Sequence, residues 1–463
     1  MFKTDLKPDE QGLNIIIVGC GKVGSTITER LYSEGHDITV IDKNPAAVGA
    51  LTDAYDIMGI VGNGASYSTQ MEAGVENADL IIAVTDSDEL NLLCCTVAQR
   101  VTNCDAIARV RNPDYAEEID YLREKLGLSI IINPELEAAN EIARILYLPT
   151  ALSVSPFARG RAEIIRFKLQ ADNMLCDKRL MDMGALVKNI RFCAIERGEN
   201  VYTPDGHFIL KAGDTVSFIS TARSAANFYE KCGMKTHRVK DTIIIGGGKS
   251  AYYLGKQLIG MGIGVKIIEK DRERCLELES LLPDAIIING DGSDEELLKE
   301  EGIRSCESFV PLTGLDEENI LLTLYAREQS EAKVITKINR ITFRNVISSL
   351  DLGSVVYPKY ITAEAIIAYV RAKKNSLGSS IETLYHMFDN RVEAIEFNVS
   401  EDIENLTNVP LKDLKNKDEL IVAYINRGGQ SIIPGGLDCI KKGDNVVIVT
   451  KHTGFHDISD ILA

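Results

Sequence analysis

The sequence predicts an α/β fold in which two tandem, doubly wound parallel sheets are each followed by a small α+β module. Three observations lead to it. Short runs of Ile, Val and Leu alternate with amphipathic segments, as strands covered on both faces alternate with helices. The whole pattern is written twice in 463 residues. After each copy come segments in which polar and apolar residues alternate singly, the mark of half-exposed strands.

The repeat is explicit. Asn14-Ile-Ile-Ile-Val-Gly19-Cys-Gly21-Lys-Val-Gly24 is answered 227 residues later by Asp241-Thr-Ile-Ile-Ile-Gly246-Gly-Gly248-Lys-Ser-Ala251. The same offset carries Asp42 onto Glu269. One residue more carries Gly62-Asn-Gly-Ala-Ser66 onto Gly290-Asp-Gly-Ser293, and Thr85-Asp-Ser-Asp-Glu-Leu-Asn91 onto Thr313-Gly-Leu-Asp-Glu-Glu-Asn319. In the first copy the strands are expected at 14–18, 38–42, 57–61, 79–84, 105–110 and 128–132. Val23, Ile27 and Leu31 repeat at helical spacing after the glycine turn and give that helix one apolar stripe.

The modules are read from the alternating segments 162–169 and 391–399 and from Gly-Asp turns leading into strands at 211–219 and 442–449. Polar stretches at 153–160, 231–240 and 371–380 are taken as joints. Apolar-faced crossover helices are expected at 134–148 and 361–370. The resulting division is 12–134, 153–236, 240–358 and 377–463.

Composition limits the function. A formal charge of −17 repels phosphate backbones and anionic lipid surfaces. No apolar run approaches the roughly 20 residues that span a bilayer, and the polar start lacks a signal peptide's apolar centre. A cytoplasmic protein that neither inserts into membranes nor binds nucleic acid is the expectation. Ten scattered cysteines without a C-x-x-C give neither a zinc knuckle nor a redox motif, and buried, reduced thiols are expected.

In Gly19-x-Gly21-x-x-Gly24 the first glycine allows a tight strand-to-helix turn, the second lets backbone approach a pyrophosphate, and the third permits close helix packing. The helix start offers unpaired N–H groups to phosphates. Asp42, eighteen residues after Gly24, ends a strand where a carboxylate can hold ribose hydroxyls, which favours NAD over NADP. This is a Rossmann-like fingerprint. The second copy keeps it in Gly246, Gly247, Gly248, Lys249 and Ser250 with Glu269, an alanine replacing the third glycine. Gly-Lys-Ser at 248–250 is no P-loop, because that motif's first glycine would fall on Ile243. Thr85 follows the fourth strand at the crevice. Arg109 and its counterpart Lys337 end the fifth strands, where a phosphate partner and a surface charge are equally open readings. Asp88, Glu89, Asn91 and their copies Asp316, Glu317 and Asn319 are read as helix caps.

A dehydrogenase also needs a positioned acid or base. None of the six histidines, His36, His207, His237, His386, His452 and His456, recurs between copies. Tyr-x-x-x-Lys occurs at Tyr121/Lys125, Tyr252/Lys256 and Tyr369/Lys373, each on a predicted helix where this is one-turn spacing. Sensing rather than catalysis is expected, with an NAD-dependent oxidoreductase as the alternative. A DNA-binding regulator would need a basic recognition helix, which is not visible.

Ile107-Ala-Arg109-Val-Arg111-Asn-Pro-Asp114-Tyr115 and the helix entry 85–91, with the doubled core and module, resemble the TrkA family of potassium-uptake regulators. The resemblance implies that each core is an RCK N-terminal domain and each module an RCK C-terminal domain. It adds Cys20, Lys22, Val23 and Asp86 to the first site and Leu312 and Thr313 to the second, with Arg109 and Lys337 as cations. It also implies NAD(H) and ATP or ADP as ligands, a homo-oligomeric ring of cores, and a TrkH-like membrane subunit that translocates potassium. Asn63 departs from the aspartate many members carry there, which Asp291 restores in the second copy.

Overall fold

The computed structural model describes residues 12–116, 118–234, 239–339, 347, 350, 352–374, 379–388 and 390–463. The opening eleven residues, His237 and parts of the 231–240 and 371–380 joints lie outside them. The chain divides into two compact units, one formed by Met1–Ala138 and Tyr357–Ile367, the other by Ala139–Val356 and Ala368–Ala463.

In the first unit, β1 (Asn14–Val18), β2 (Asp37–Asp42), β3 (Met58–Val61), β4 (Leu80–Ala83), β5 (Asp105–Arg109) and β6 (Ile130–Ile132) form one sheet. Its order is β3-β2-β1-β4-β5-β6, and every pairing is parallel. The strands are apolar because helices cover both faces, so Ile17, Val40, Ile82 and Ile107 are fully buried. Helix Lys22–Ser33 lays Ile27 and Leu31 on the sheet, as the spacing predicts. The strand order reverses between β1 and β4, and ligands of such sheets enter beside the carboxyl ends of those strands.

The second unit holds both modules and the second core. The first module contains β7 (Ser153–Phe157), β8 (Ala162–Lys168), β9 (Ile190–Arg197), β10 (Asn200–Tyr202) and β11 (Thr215–Ser220), antiparallel in the order β10-β9-β11-β8-β7. Phe167, Phe218, Phe228 and Tyr229 interlock edge-on over this sheet. The second core contains β12 (Asp241–Ile245), β13 (Gly264–Glu269), β14 (Ile286–Asn289), β15 (Ser308–Pro311), β16 (Lys333–Lys337) and β17 (Ser354–Val356), in the order β14-β13-β12-β15-β16-β17. The repeat seen in the sequence is therefore a repeat of topology. The last module contains β18 (Ser379–Met387), β19 (Val392–Val399), β20 (Leu420–Arg427), β21 (Gln430–Ile432) and β22 (Asp444–Thr450), in the order β18-β19-β22-β20-β21. Read from β18, this is the first module's order read from β7.

The aspartate of each Gly-Asp turn anchors its module. Asp214 is fully buried and accepts two hydrogen bonds from Arg197, both at 2.7 Å, and one from the Lys211 amide at 2.8 Å. Asp444 repeats the arrangement with Arg427, both bonds at 2.8 Å, and with the Lys441 amide. The two modules share one core in which Phe157, Ile164 and Ile219 meet Met387, Phe388, Tyr424 and Val447. Glu396 accepts the Ala158 amide at 2.8 Å, and Arg391 pairs with Glu196.

Two expected joints are structured. Segment 153–160 begins with strand β7, where Ser153, Val154, Ser155 and Phe157 are all buried. Its serines misled the polarity reading, because a strand can bury a hydroxyl whose backbone is paired. Pro156 is tolerated because β7 lies at the sheet edge. In segment 371–380, Arg371 belongs to helix Pro358–Lys374, is 2 % exposed and makes a two-pronged pair with Glu393.

Lys333 begins β16, and its ammonium donates to the Ala151 carbonyl, which also accepts from Ser354 Oγ. Burial, reinforced by the like charge of Arg327, lowers the Lys333 pKa from 10.5 to about 7. Between these values the unfolded chain holds a proton that the folded chain has released. The Lys333 contribution to stability therefore rises as pH increases from about 7 towards 10.5, and is flat below 7. Lys333→Met is expected to remove that slope from urea-unfolding midpoints measured between pH 7 and 10; an unchanged slope would exclude Lys333 as its source.

Candidate functional site

At the carboxyl ends of β1, β2 and β4 lies a cleft of about 350 Å³. Of the first-site residues expected from sequence, Gly19, Cys20, Gly21, Asp42, Thr85 and Asp86 line it together. Lys22, Val23 and Gly24 form the first turn of the adjoining helix. Gly19 has φ +106°, and a Cβ there would stand 2.9 Å from the Thr85 nitrogen, so only glycine makes the turn without strain. A Cβ on Gly24 would meet the Gly19 carbonyl oxygen at 1.8 Å, which locks the loop against the helix.

Whether the cleft suits a dinucleotide is tested by what its donors lack. Helix Lys22–Ser33 has Gly21 as N-cap and no side-chain cap. The helices after β2 and β4 are capped by Asn44 and Ser87. Above Gly21 the backbone is bare, since a Cβ there would find no atom within 4 Å. Uncapped amides facing open space fit an anion. Asp42 stands at the cleft wall, where its Oδ2 accepts the Cys20 amide at 2.7 Å and its Oδ1 the Asn44 amide at 2.8 Å. The two bonds hold the carboxylate in place at the cleft wall. Burial, with Asp42 beside it, pushes the Cys20 thiol up to about 12, so it lines the cleft as a neutral group.

Arg109 is placed differently from the phosphate-partner reading. It is 8 % exposed and sits behind the wall, donating to the Thr85 carbonyl at 2.6 Å and pairing with Asp86 at 3.3 Å. Lys337 likewise donates to the Leu312 carbonyl at 2.8 Å. Both cations brace a strand end.

The capping expectation is also corrected. Ser87 caps helix Asp88–Val101, accepting the Leu90 amide at 3.1 Å. Asp88 instead accepts the Arg111 and Asn112 amides at 2.9 and 2.7 Å. Asn91, fully buried, accepts from the Thr85 amide and hydroxyl and donates to the Thr85 and Arg109 carbonyls. Asn319 makes the same four bonds with Thr313 and Lys337. These residues tie the β4 turn to the end of β5. Their recurrence in both copies was the available signal, but sequence cannot show which backbone groups lie opposite.

Lys43, Asn44, Ala47, Gly62, Gly64 and Leu90 also line the first cleft and were not singled out as site residues. Gly62 and Gly64 stood among the repeat markers. In the second core Gly246 has φ +93°, Gly248 is an N-cap without a side-chain bond, and Glu269 accepts the Gly247 amide at 2.6 Å. Lys249 and Ser250 open that helix, with Ser250 buried, and Leu312 and Thr313 approach Gly246. The three Tyr-x-x-x-Lys matches all fall on helices. Among the described residues no helix is long and apolar enough to cross a membrane.

A glycine turn opening an uncapped helix at the switch point of a parallel sheet, with a fixed carboxylate on the next strand, defines a Rossmann-type nucleotide-binding domain, and this chain carries two. The TrkA-N domain model matches residues 15–134 and 242–358, and the TrkA-C domain model matches 164–233. The chain belongs to the TrkA family. It is 32% identical over 442 residues to the Trk system potassium uptake protein TrkA of Haemophilus influenzae, covering 94% of this chain and 95% of that one. It is 30% identical over 454 residues to a TrkA homologue of Methanosarcina mazei, covering 96% and 99%. Its fold resembles that of the GsuK channel bound to NAD, with a TM-score of 0.63 and 16% identity over 96% of this chain and 78% of that one.

Proposed function

We propose that this protein is a nucleotide-sensing regulatory subunit of a potassium uptake system, and that its first cleft binds NAD(H). The observation that carries the reading is the uncapped helix Lys22–Ser33 facing a cleft whose wall holds Asp42. The names of the relatives support the potassium system, and the NAD-bound GsuK structure supports the ligand. On this reading Gly19 to Gly24, Asp42, Thr85 and Asp86 form the first site. Gly246 to Ser250, Glu269, Leu312 and Thr313 form the second, and Arg109 and Lys337 act through the backbone they brace. The division into RCK N-terminal domains at 12–134 and 240–358 and C-terminal domains at 153–236 and 377–463 is part of the proposal.

ATP or ADP are further ligands for clefts of this kind. The chain works in the cytoplasm as a homo-oligomeric ring of cores, docked on a TrkH-like membrane subunit. It catalyses no reaction. A nucleotide that binds one arrangement of the cores more tightly than another shifts the ring towards it by that difference in affinity, and so gates the partner.

Asp42→Ala removes a charged hydrogen-bond acceptor and is expected to weaken NADH at the first cleft by about 1.5 to 3 kcal/mol. NADH fluorescence titration of a Glu269→Ala chain, with and without Asp42→Ala, measures this. Equal affinity in the two would remove Asp42 from the site.

A further inference from the structure

The two glycine turns differ in charge where a ligand's phosphates would lie. In the first, Asp86 follows Thr85 at the end of β4 and lines the cleft with a fully exposed carboxylate. Arg109, behind it, is already engaged by the Thr85 carbonyl and that carboxylate. In the second, the repeat register places Gly314 at this position. On the opposite wall of the first cleft stands Ala47, whose counterpart is Arg274. Arg274 lies over the second glycine turn, with Nε donating to the Gly247 carbonyl at 2.6 Å and Nη1 paired with Glu277 at 2.6 Å.

Relative to the first turn, the second lacks the Asp86 carboxylate and carries a guanidinium that is paired with Glu277. The second copy also adds carboxylates nearby: Glu277, where the first copy has Ala50, pairs with Arg274, and Asp271 and Asp291 accept backbone amides of their own turns, from Glu273 at 2.9 Å and Ser293 at 2.9 Å. The two aspartates occupy the positions where Asn44 and Asn63 accept the Ala46 and Ala65 amides in the first copy.

Each additional terminal phosphoryl group brings about one to two negative charges. A fixed carboxylate beside the phosphates therefore penalises a triphosphate more than a dinucleotide, whose two phosphates are both internal. Resting on the reading of both clefts as nucleotide sites, we propose that Asp86 is a charge selector that limits the first cleft to the linked phosphates of a dinucleotide, and that Gly314 and Arg274 open the second to a nucleoside triphosphate.

The test uses calorimetric titration of the full-length chain with NADH and with ATP. A Glu269→Ala background isolates the first cleft and an Asp42→Ala background the second. Asp86→Asn keeps the side chain's size and removes its charge. It is expected to raise the affinity ratio of ATP to NADH at the first cleft roughly 5- to 20-fold, the worth of one like charge several ångströms away in a partly solvated site. Gly314→Asp is expected to lower the same ratio at the second cleft by a similar factor. A turn-shaping role for Asp86 predicts an unchanged ratio in Asp86→Asn, and that result overturns the selector while leaving the nucleotide sites intact. Failure of the unmodified chain to bind either nucleotide overturns the reading of the clefts and the selector with it.

Discussion

Arg197→Ala and Arg427→Ala are each expected to destabilise the second unit by about 3 to 5 kcal/mol, because each strands a buried carboxylate without its cation. Asp214 and Asp444 have no exposed surface, and among the described residues each accepts, beyond the arginine, one backbone amide at its own turn. The arginines are about a third exposed, at 32% and 34%, so the carboxylate suffers most from the loss. Each guanidinium also holds a carbonyl of the same module, Ile209 or Cys439. Urea unfolding of the variants measures the effect. A midpoint shift equivalent to less than about 0.5 kcal/mol, ordinary for surface substitutions, would show that the pair is dispensable. The double substitution by a matched apolar pair is expected to recover part of the loss, since the penalty lies in the uncompensated charge.

Asn91→Leu comes second in size. It leaves the Thr85 amide and the Arg109 carbonyl buried without the partner Asn91 provides, at about 1 to 3 kcal/mol each. Because Thr85 lines the first cleft, the variant should also weaken nucleotide binding there. Asn319→Leu should cost similar stability and leave the first cleft unaffected. Paired measurements of the urea midpoint and NADH affinity separate the two cases. Equal NADH loss in both variants would mean that the asparagines support folding in general rather than the strand end beside each cleft.

The fold was legible to the extent that it is written in local pattern. The six strands expected in the first copy coincide within a few residues with β1 to β6, because buried parallel strands need continuous apolar runs and the glycine turn marks where β1 ends. The cleft was legible through Gly19, Gly21 and Asp42, whose spacing encodes geometry. Other features depend on residues far apart in the chain. Arg109 sits at a strand end in either reading, and only the folded neighbours Thr85 and Asp86 decide that it braces the wall. Segment 153–160 reads as polar, yet its first five residues pair with β8 and form a strand. The shared core of the two modules joins Phe157 to Val447, a separation no local pattern carries. Arg274 drew no notice because its counterpart is a plain alanine.

On the proposed function, the glycine turns hold nucleotides without turning them over. Calorimetric titration of the purified full-length chain with NADH, with absorbance followed in the same sample, tests it most directly. Saturable binding, at up to two sites per chain, with NADH fully recovered, is the expected result. An absence of binding would make the turns purely structural, and steady consumption of NADH with a carbonyl substrate would make the protein an oxidoreductase.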